Sequence, residues 1–234
     1  MIELTIIIPT CNEQDLIQNT IKQLYDSIKK CKIETEVIVV DYSKDNTYKI
    51  LNSIKNKYKN LRVISHKGQP GVGSQIKNGF RKASGKYILI VMADYSSTEF
   101  QILPTLIKRF REGNQLIQTT RLKGRILIND YPFVKAMANR FCNLFINLVF
   151  LRFDLQDFTS LYKGIRADCI DNLKLESNDF EIGLEISMKA IKNNYLIKEV
   201  AVKWKKRTAG KSKFSLFKMA PKYVTRIIKT TFGF

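Results

Sequence analysis

The stretch Leu4-Thr-Ile-Ile-Ile-Pro-Thr-Cys-Asn-Glu13 places an apolar, β-branched run directly before a turn of small and polar residues. Such a run is typical of a buried strand, and Pro9 marks its end. No positively charged leader precedes the run, so it predicts a first strand and not a signal peptide. A segment with helical periodicity follows at residues 13–29. A strand followed by a helix is the repeating unit of a parallel α/β sheet.

The same alternation continues through the first half of the chain. Strand-like runs that are apolar on both faces are separated by amphipathic segments, which predicts a mostly parallel sheet covered by helices on both sides. The predicted strands are residues 4–8, 36–40, 61–65, 87–92 and 115–119, and the predicted helices are residues 13–29, 46–57, 74–83 and 99–111.

The pattern is less regular after Arg121. Neither an internal repeat nor a flexible linker is evident, so we predict one α/β domain over residues 1–213 and a basic amphipathic segment over residues 214–234. The predicted elements here are helices at residues 133–151, 166–173 and 180–191 and strands at residues 157–162 and 200–204.

Polar and charged residues follow four of the predicted strands. Each group alone would be an ordinary turn or helix cap. Because ligands bind at the carboxyl ends of parallel strands, four such groups at one edge predict a binding site. The segments are Pro9-Thr-Cys-Asn-Glu13, Asp41-Tyr-Ser-Lys-Asp45, Ala93-Asp94-Tyr-Ser96 and Thr119-Thr-Arg121.

The charge balance predicts an anionic partner. The chain of 234 residues carries 40 Lys and Arg against 21 Asp and Glu, a formal net charge of +19. Nucleic acid, an anionic membrane and phosphorylated ligands all fit such a charge. Nucleic acid is the weakest of these, because it does not explain the acidic residues at the strand ends, and we predict no nucleic-acid partner.

A second feature near the C-terminus favours phosphate. The segment Arg207-Thr-Ala-Gly-Lys-Ser-Lys213 crowds cations around a glycine. Gly210 lets the backbone turn closely, Arg207 offers a planar fork of donors, and Lys213 offers a point charge. This combination predicts a loop that binds phosphate.

The C-terminal segment is basic and amphipathic. Lys218, Lys222, Arg226 and Lys229 recur at helical spacing among apolar residues. Such a helix can lie on an anionic membrane. Alternatively, its apolar stripe packs on the core of the protein and the lysines are solvated. The sequence leaves both alternatives open.

The cysteines and the longest apolar segment indicate the cellular compartment of the protein. Cys11, Cys31, Cys142 and Cys169 form no C-x-x-C pair, which indicates neither a zinc site nor a disulfide framework and favours a reducing compartment. Residues 141–151 are too short to cross about 30 Å of hydrocarbon. We predict a cytoplasmic protein that is peripheral on the cytosolic face of a membrane.

In order and spacing, these motifs resemble the family 2 glycosyltransferases of the GT-A fold, most closely the dolichol-phosphate mannose synthase and polyprenyl-phosphate hexosyltransferase branch. The resemblance spans most of the chain. It implies an inverting transfer of a hexose, mannose or glucose, from a nucleotide-diphosphate sugar such as GDP-mannose or UDP-glucose to a polyprenyl (dolichyl) phosphate. Further segments that carry it are Gly71-Val-Gly73, Gly79 with Gly85, Met92-Ala-Asp94, Asp157-Phe-Thr-Ser160 and Glu185.

The resemblance also implies where the donor lies. The nucleotide would cover the carboxyl edge of the sheet, and helix capping is a compatible second role for Asn12 and Glu13. The residues implied around the base and ribose are Pro9, Thr10, Asn12, Glu13 and Asp41, and those implied to admit the donor are Gly71, Gly73, Ala93 and Asp94.

The metal motif of the family is incomplete here. Asp94 occupies the second acid of D-x-D, where a divalent cation, Mg²⁺ or Mn²⁺, would bridge it to the donor diphosphate. Met92 replaces the first acid, and Tyr42 replaces the second acid of the usual V-D-D strand end. Loss of a hard oxygen ligand weakens binding of these cations. We expect a metal on Asp94, with Ser96 or water completing its ligands.

The acceptor decides the mechanism. Arg121, Arg207 and Lys213 would stabilise the leaving diphosphate or hold the acceptor phosphate. A phosphate monoester has a second pKa of about 6 and needs no strong base. A sugar-hydroxyl or protein acceptor needs one, and Asp157 is the first candidate, although it also suits a turn-capping role. A catalytically weakened protein that binds nucleotide sugar or membrane as a scaffold is a further alternative.

Overall fold

The computed structural model describes residues 1–121, 133–203, 209–210 and 214–233, without the side chains of residues 133–136 and 216. In these ranges the strands form one seven-stranded sheet in the order β3-β2-β1-β4-β6-β5-β7. The strands are β1 (Leu4–Thr10), β2 (Thr35–Asp41), β3 (Leu61–Ser65), β4 (Tyr87–Ile90), β5 (Leu116–Thr120), β6 (Lys163–Arg166) and β7 (Ile197–Ala201). The α-helices are α1 (Ile17–Cys31), α2 (Thr47–Ile54), α3 (Val72–Phe80), α4 (Ser97–Phe100), α5 (Leu103–Arg111), α6 (Phe133–Phe150), α7 (Ile170–Leu173), α8 (Ile182–Lys192) and α9 (Leu216–Phe232).

The sheet is mostly parallel, as the alternation of runs predicted. β1 pairs in parallel with β2 and β4, β2 with β3, and β5 with β7. β6 is antiparallel to both of its neighbours, β4 and β5. Six strands therefore end at the same edge of the sheet, and β6 begins there.

Helices cover both faces because the central strands are apolar on both. Ile6 and Ile8 of β1 lie in one cluster of buried residues, and Ile7 between them lies in the other. Buried residues of α1 and α5 belong to the first cluster, and buried residues of α3 and α8 belong to the second. Alternate side chains of one strand thus contact opposite helical layers.

Four predicted elements differ from the structure. One is the predicted helix at 166–173, which is a 3-10 turn (Ala167–Cys169) followed by the short α7, because Arg166 belongs to β6. Residues 157–162 form a loop and not a strand, because the ladder partners of β4 and β5 are the residues of β6. The predicted helix at 99–111 is two helices, and Pro104 lies in the first turn of the second. The predicted strand at 200–204 is displaced, since β7 ends at Ala201 and Trp204 lies outside the described residues.

The C-terminal helix packs on the body of the protein. α6, α8 and α9 share a third buried cluster, which includes Ile146, Phe158, Leu184, Met188 and Ile227. Within the described ranges, no helix combines the length and the apolar character needed to cross a membrane.

Candidate active site

The ends of β1 and β2 are joined by their polar side chains. Thr10 and Asp41 are register partners, and the Thr10 hydroxyl donates to Asp41 Oδ1 over 2.7 Å. The Ser43 hydroxyl also donates to that carboxylate over 2.6 Å. The predicted convergence of the strand ends is confirmed at these two strands.

The turns that follow β1 and β2 are bonded to each other. Asn12 adopts a left-handed φ of 54°, and its Oδ1 accepts from the Lys44 amide over 2.8 Å. The Glu13 amide donates to Thr47 Oγ1 over 2.8 Å. The second role considered for Asn12 and Glu13, as N-cap of α1, is wrong, because α1 begins at Ile17 and its N-cap residue is Leu16.

Gly71, just before α3, and Gly73, in its first turn, allow close packing within the protein. Gly71 has a φ of 121°, and a Cβ at Gly73 would lie 2.7 Å from the carbonyl carbon of Asn178. The Ser74 amide donates to the Asn178 carbonyl over 3.0 Å. The faces of both glycines toward residues 177–179 are therefore covered by the chain itself.

Gln75, in the first half of α3, connects this helix to the edge of the sheet. Its Nε2 donates to the Thr10 carbonyl over 2.7 Å and to the Val40 carbonyl over 2.6 Å. Gln75 is buried. Sequence reasoning missed this residue, although it lies two positions after Gly73 in a segment already singled out.

The segment after β4 forms a turn with Asp94 at the strand end. The Ala93 carbonyl accepts from Thr20 Oγ1 over 2.7 Å, which holds the turn against α1. Ser96 caps α4, since its hydroxyl donates to Glu99 Oε2 over 2.7 Å and accepts from the Thr98 amide. The structure thus gives Ser96 a capping role, and its role as a metal ligand stays a prediction.

The oxygen atoms at this turn are suitable ligands for a hard divalent cation. Asp94 is half-buried and supplies one carboxylate. Mg²⁺ is commonly held by one or two carboxylates together with substrate phosphates and water. Among the described residues, no group of three or more His, Cys, Asp and Glu side chains could hold a metal. A cation at Asp94 therefore depends on oxygens that come from the donor and from water.

Arg121 and Asp157 form a bidentate ion pair at the end of β5. Arg121 Nε donates to Asp157 Oδ2 over 2.8 Å, and its Nη2 donates to Oδ1 over 3.0 Å. The Thr159 hydroxyl also donates to Asp157 over 2.9 Å, which confirms the turn-capping role. Burial alone raises the pKa of this carboxyl, but the Arg121 charge and hydrogen bonds hold it below its ordinary value.

A buried polar network lies behind this ion pair, and sequence reasoning missed most of it. Gln118 Nε2 donates to Glu199 Oε2 over 2.9 Å, and the amides of Gln156 and Asp157 donate to the same oxygen. Lys163 Nζ donates to Gln118 Oε1 over 3.4 Å. The signal in the sequence was a lysine inside the apolar run Leu161-Tyr-Lys-Gly-Ile165, which indicates a buried charge.

Two predicted cations cannot be placed, and the single histidine of the chain lies away from the predicted roles. Arg207 and Lys213 lie outside the described residues. His66 is buried, and its Nε2 lies 3.0 Å from the Gln69 carbonyl and 3.1 Å from Ser74 Oγ. These contacts place His66 in the loop that leads into α3 and give it a structural role.

Comparison with known proteins agrees with the fold. The family described as Glycosyl transferase family 2 matches residues 5–173. A dolichol-phosphate mannosyltransferase from Pyrococcus furiosus is 24% identical over 213 residues, which cover 90% of this chain and 59% of that protein. A dolichyl-phosphate beta-glucosyltransferase from Dictyostelium discoideum is 30% identical over 227 residues, which cover 87% of this chain and 66% of that protein. The chain thus spans roughly 59–66% of the length of these relatives.

Solved structures show the same fold. Glucosyl-3-phosphoglycerate synthase from Mycobacterium tuberculosis, in complex with Mn²⁺, uridine diphosphate and glucosyl-3-phosphoglycerate, superposes with a TM-score of 0.75 at 16% identity. The superposition covers 98% of this chain and 80% of that one. The family match covers well over half of the chain, and the sheet has the order and direction described above. The chain therefore belongs to glycosyltransferase family 2 and has the GT-A fold.

Proposed function

We propose that this chain transfers a hexose, mannose or glucose, from a nucleotide-diphosphate sugar to a polyprenyl (dolichyl) phosphate, with inversion at the anomeric carbon. The observation that carries the choice of acceptor is the ion pair between Arg121 and Asp157. The names of the relatives from Pyrococcus furiosus and Dictyostelium discoideum support the same acceptor class.

The ion pair makes Asp157 a poor general base. Its side chain is fully buried, and both of its oxygens accept hydrogen bonds from Arg121. A hydroxyl acceptor needs a base whose pKa lies near the working pH, whereas the pKa of Asp157 is held below its ordinary value. A phosphate monoester is already largely anionic near neutral pH, since its second pKa is about 6. Lipid phosphate therefore suits this site better than a hydroxyl.

We assign the donor to the carboxyl edge of the sheet. Asp41 and Thr10 present an acidic, hydrogen-bonded pair at the centre of that edge. Asp41 can accept from ring N–H or ribose hydroxyl groups, and the turns at Asn12 and Glu13 are rigid because they bond to the turn after β2. Placing a ligand on rigid elements lowers the entropy lost on binding. Pro9, Gly71, Gly73 and Ala93 stay in the proposed donor site as backbone positions around this pair.

Positive charge would stabilise the leaving nucleoside diphosphate. We assign this role to Arg207 and Lys213, and to a divalent cation held by Asp94 with Ser96 or water. When bound, such a cation supplies Lewis-acid stabilisation of the diphosphate. Arg121 contributes positive charge at the edge while its guanidinium is positioned by Asp157. Catalysis then consists of positioning the two phosphates and stabilising charge.

The setting we propose is the cytosolic face of a membrane, where the chain is peripheral. The four cysteines, all in the described ranges, are present as thiols, which is compatible with a reducing compartment. The acceptor lipid would be presented from the bilayer, and the donor would come from solution.

The proposal is tested by incubating the protein with GDP-mannose or UDP-glucose, a polyprenyl phosphate and Mn²⁺, and reading the product mass. We expect a polyprenyl-phosphate hexose from one donor. Arg207→Ala is expected to lower turnover at least 100-fold, because one positioned charge at a developing anion contributes about 3 kcal/mol. A product formed only on a soluble hydroxyl or protein acceptor would overturn the acceptor assignment. Absence of turnover with manganese, with magnesium and without metal would refute the proposed enzymatic activity. Full activity of Arg207→Ala would refute the role assigned to Arg207.

A further inference from the structure

Glu199 connects two parts of the fold that meet at the catalytic edge. It lies on β7, at one end of the sheet, and is 7% exposed. Its Oε2 accepts a hydrogen bond over 2.9 Å from Nε2 of Gln118, its register partner on β5. The same oxygen accepts from the amides of Gln156 and Asp157 over 2.7 and 3.1 Å. One carboxylate oxygen thus joins the middle of β5 to the loop that precedes β6.

Asp157 extends this connection to Arg121. Glu199 holds the backbone of Asp157, whose fully buried carboxylate accepts from Arg121 Nε over 2.8 Å and from Nη2 over 3.0 Å. The Arg121 side chain is 26% exposed at the end of β5, so its cation is accessible to a ligand. Bidentate bonds fix the plane of a guanidinium as well as its position. A shift of the loop backbone at Asp157 would therefore move the Arg121 guanidinium.

The amide of Gln118 is oriented toward Glu199 by two donors on its other side. Gln118 Oε1 accepts from Ser187 Oγ over 2.8 Å and from Lys163 Nζ over 3.4 Å. Ser187 lies on α8 and Lys163 begins β6, so two further elements hold this amide. A side-chain amide has one acceptor oxygen, and its NH2 group therefore faces Glu199. The position of the Glu199 carboxylate is thus fixed by the fold before any ligand binds.

A second buried carboxylate, Glu36 on β2, shows a different arrangement. Glu36 Oε1 accepts from the Thr5 hydroxyl and the Ser84 amide, and its Oε2 accepts from Arg62 Nη1. In contrast, Glu199 Oε1 is buried and has no hydrogen-bond partner in the described part of the chain. A buried polar atom without a partner reduces stability. The geometry of Glu199 therefore serves the placement of the loop more than the stability of the fold.

We propose that Glu199 is a positioning residue for sugar transfer, which sets through Asp157 where the Arg121 guanidinium lies relative to the reacting phosphates. This deepens the proposed function, on which it rests for the presence of those phosphates. A fixed charge stabilises a transition state only when it is already in place, and a misplacement of about 1 Å can cost about 100-fold in rate. Loss of Glu199 is therefore expected to lower kcat.

Affinity for the nucleotide is expected to change little. The donor is assigned to the turns after β1 and β2, and β4 and β6 lie between β1 and β5 in the sheet. Those turns are bonded to each other through Asn12 and Glu13 and make none of their hydrogen bonds to Glu199. A split between kcat and nucleotide affinity thus distinguishes positioning of Arg121 from a general disturbance of the edge.

The first test measures steady-state transfer by the intact protein from GDP-mannose and UDP-glucose to a polyprenyl phosphate, and binding of GDP and UDP by calorimetry. We expect Glu199→Ala to lower kcat roughly tenfold or more and to change nucleotide affinity less than about twofold. Glu199→Gln keeps an acceptor oxygen and is expected to retain more activity than Glu199→Ala. Glu36→Gln is the matched control, because it alters a buried carboxylate at the amino end of β2. Its melting temperature is expected to fall while its kcat stays at the wild-type value.

The second test asks whether Glu199 acts through Arg121. In an Arg121→Gln background, Glu199→Ala is expected to lower kcat by less than about threefold further, since residues that act as a unit are not additive. Hydrogen exchange of the intact protein provides a measurement that does not depend on transfer. We expect the amides of Gln156 and Asp157 to exchange roughly tenfold faster in Glu199→Ala than in the wild type.

Four outcomes would contradict the inference. They are a wild-type kcat in Glu199→Ala, an equal loss of kcat in Glu36→Gln, fully multiplicative losses in the double variant, and unchanged exchange at Gln156 and Asp157. Failure of the proposed function is a separate result. A wild type that transfers no sugar refutes the function, whereas a wild type that transfers sugar no faster than Glu199→Ala refutes only the positioning role.

Discussion

Lys163 is the residue whose environment departs furthest from that of an ordinary lysine. Its side chain is fully buried at the start of β6, and its Nζ donates a hydrogen bond to the neutral amide oxygen of Gln118. Burial lowers its pKa from 10.5 to about 7, although Asp157 and Glu199 raise it and Arg121 lowers it further. An amine that is charged in water is thus close to half-neutral at physiological pH in the folded protein.

Lys163→Met is expected to flatten the pH dependence of stability. The unfolded chain keeps this amine protonated up to about pH 10, whereas the folded chain releases the proton above about pH 7. Between these values the unfolded state binds more protons, so the free energy of unfolding of the wild type rises with pH, by at most about 1.4 kcal/mol per unit from this group. Chemical denaturation at several pH values measures the slope for both proteins.

The control for this prediction is Lys198→Met. Lys198 is an exposed lysine on β7, which lies beyond β5 in the same sheet, and we expect its variant to keep the wild-type slope. Equal slopes for wild type and Lys163→Met would show that the buried amine does not titrate in this range.

Single residues at the strand ends were predictable, but their pairings were not. Asp41, Asp94 and Arg121 were identified because each follows a recognisable strand. The bond between Arg121 and Asp157 joins residues 36 positions apart. It forms because β6 pairs with β5 and so brings the preceding loop to the end of β5. The residues next to Asp157 in the sequence do not indicate that pairing.

At the scale of elements, α9 is held by a buried carboxylate. Glu185 accepts from the amides of Glu176 and Ser177 and pairs with Lys189 over 2.7 Å as well as with Arg226. Burial raises the pKa of Glu185, but these hydrogen bonds hold it below the ordinary value. The carboxylate is therefore charged at neutral pH and needs its cations.

Arg226→Gln is expected to loosen α9. Loss of one charged partner of Glu185 costs roughly 1.5–3 kcal/mol, since Lys189 stays in place. Denaturant unfolding measures the loss, and limited proteolysis is expected to cut faster within α9. Lys229→Gln, which removes an exposed charge from the same helix, is the control and is expected to change stability by less than about 0.5 kcal/mol. Identical digestion of both variants would show that the ion pairs do not hold the helix.

The elements with strong periodicity were predicted well, and the short ones were not. β1 and β2 are central strands in which every residue is buried, so their apolar runs stand out in the sequence. β6 has four residues and exists because β4 and β5 present edges on either side of it. A strand of that length is defined by its partners more than by its own sequence.

At the scale of the whole molecule, the boundary predicted at residue 213 divides a shared core. Met219 and Ile227 of α9 are buried, and Ile227 packs against Leu184 and Met188. The described part of the chain therefore has no apolar cluster that belongs to α9 alone.

Removal of residues 214–234 is expected to destabilise the whole domain. The deletion exposes Leu184 and Met188 to water, which costs on the order of 3–5 kcal/mol. For a chain of this size, such a loss lowers the midpoint of thermal unfolding by roughly 10 °C. Calorimetry of the full and shortened chains measures this difference. An unchanged midpoint would mean that the segment contributes nothing to the stability of the domain.

The reversed direction of β6 has a consequence for how this molecule can change over time. Four strands, β3, β2, β1 and β4, carry the turns assigned to the nucleotide, and β6 is the first strand beyond them. Because β6 runs backwards, the chain comes into the catalytic edge through residues 157–162 instead of leaving it. That incoming loop is bonded to the ends of β5 and β7, and Tyr162 at its end also contacts Tyr95 in the turn after β4. A change between Asp157 and Leu161 would therefore alter the side of the edge that faces the proposed acceptor before it alters the strands assigned to the nucleotide.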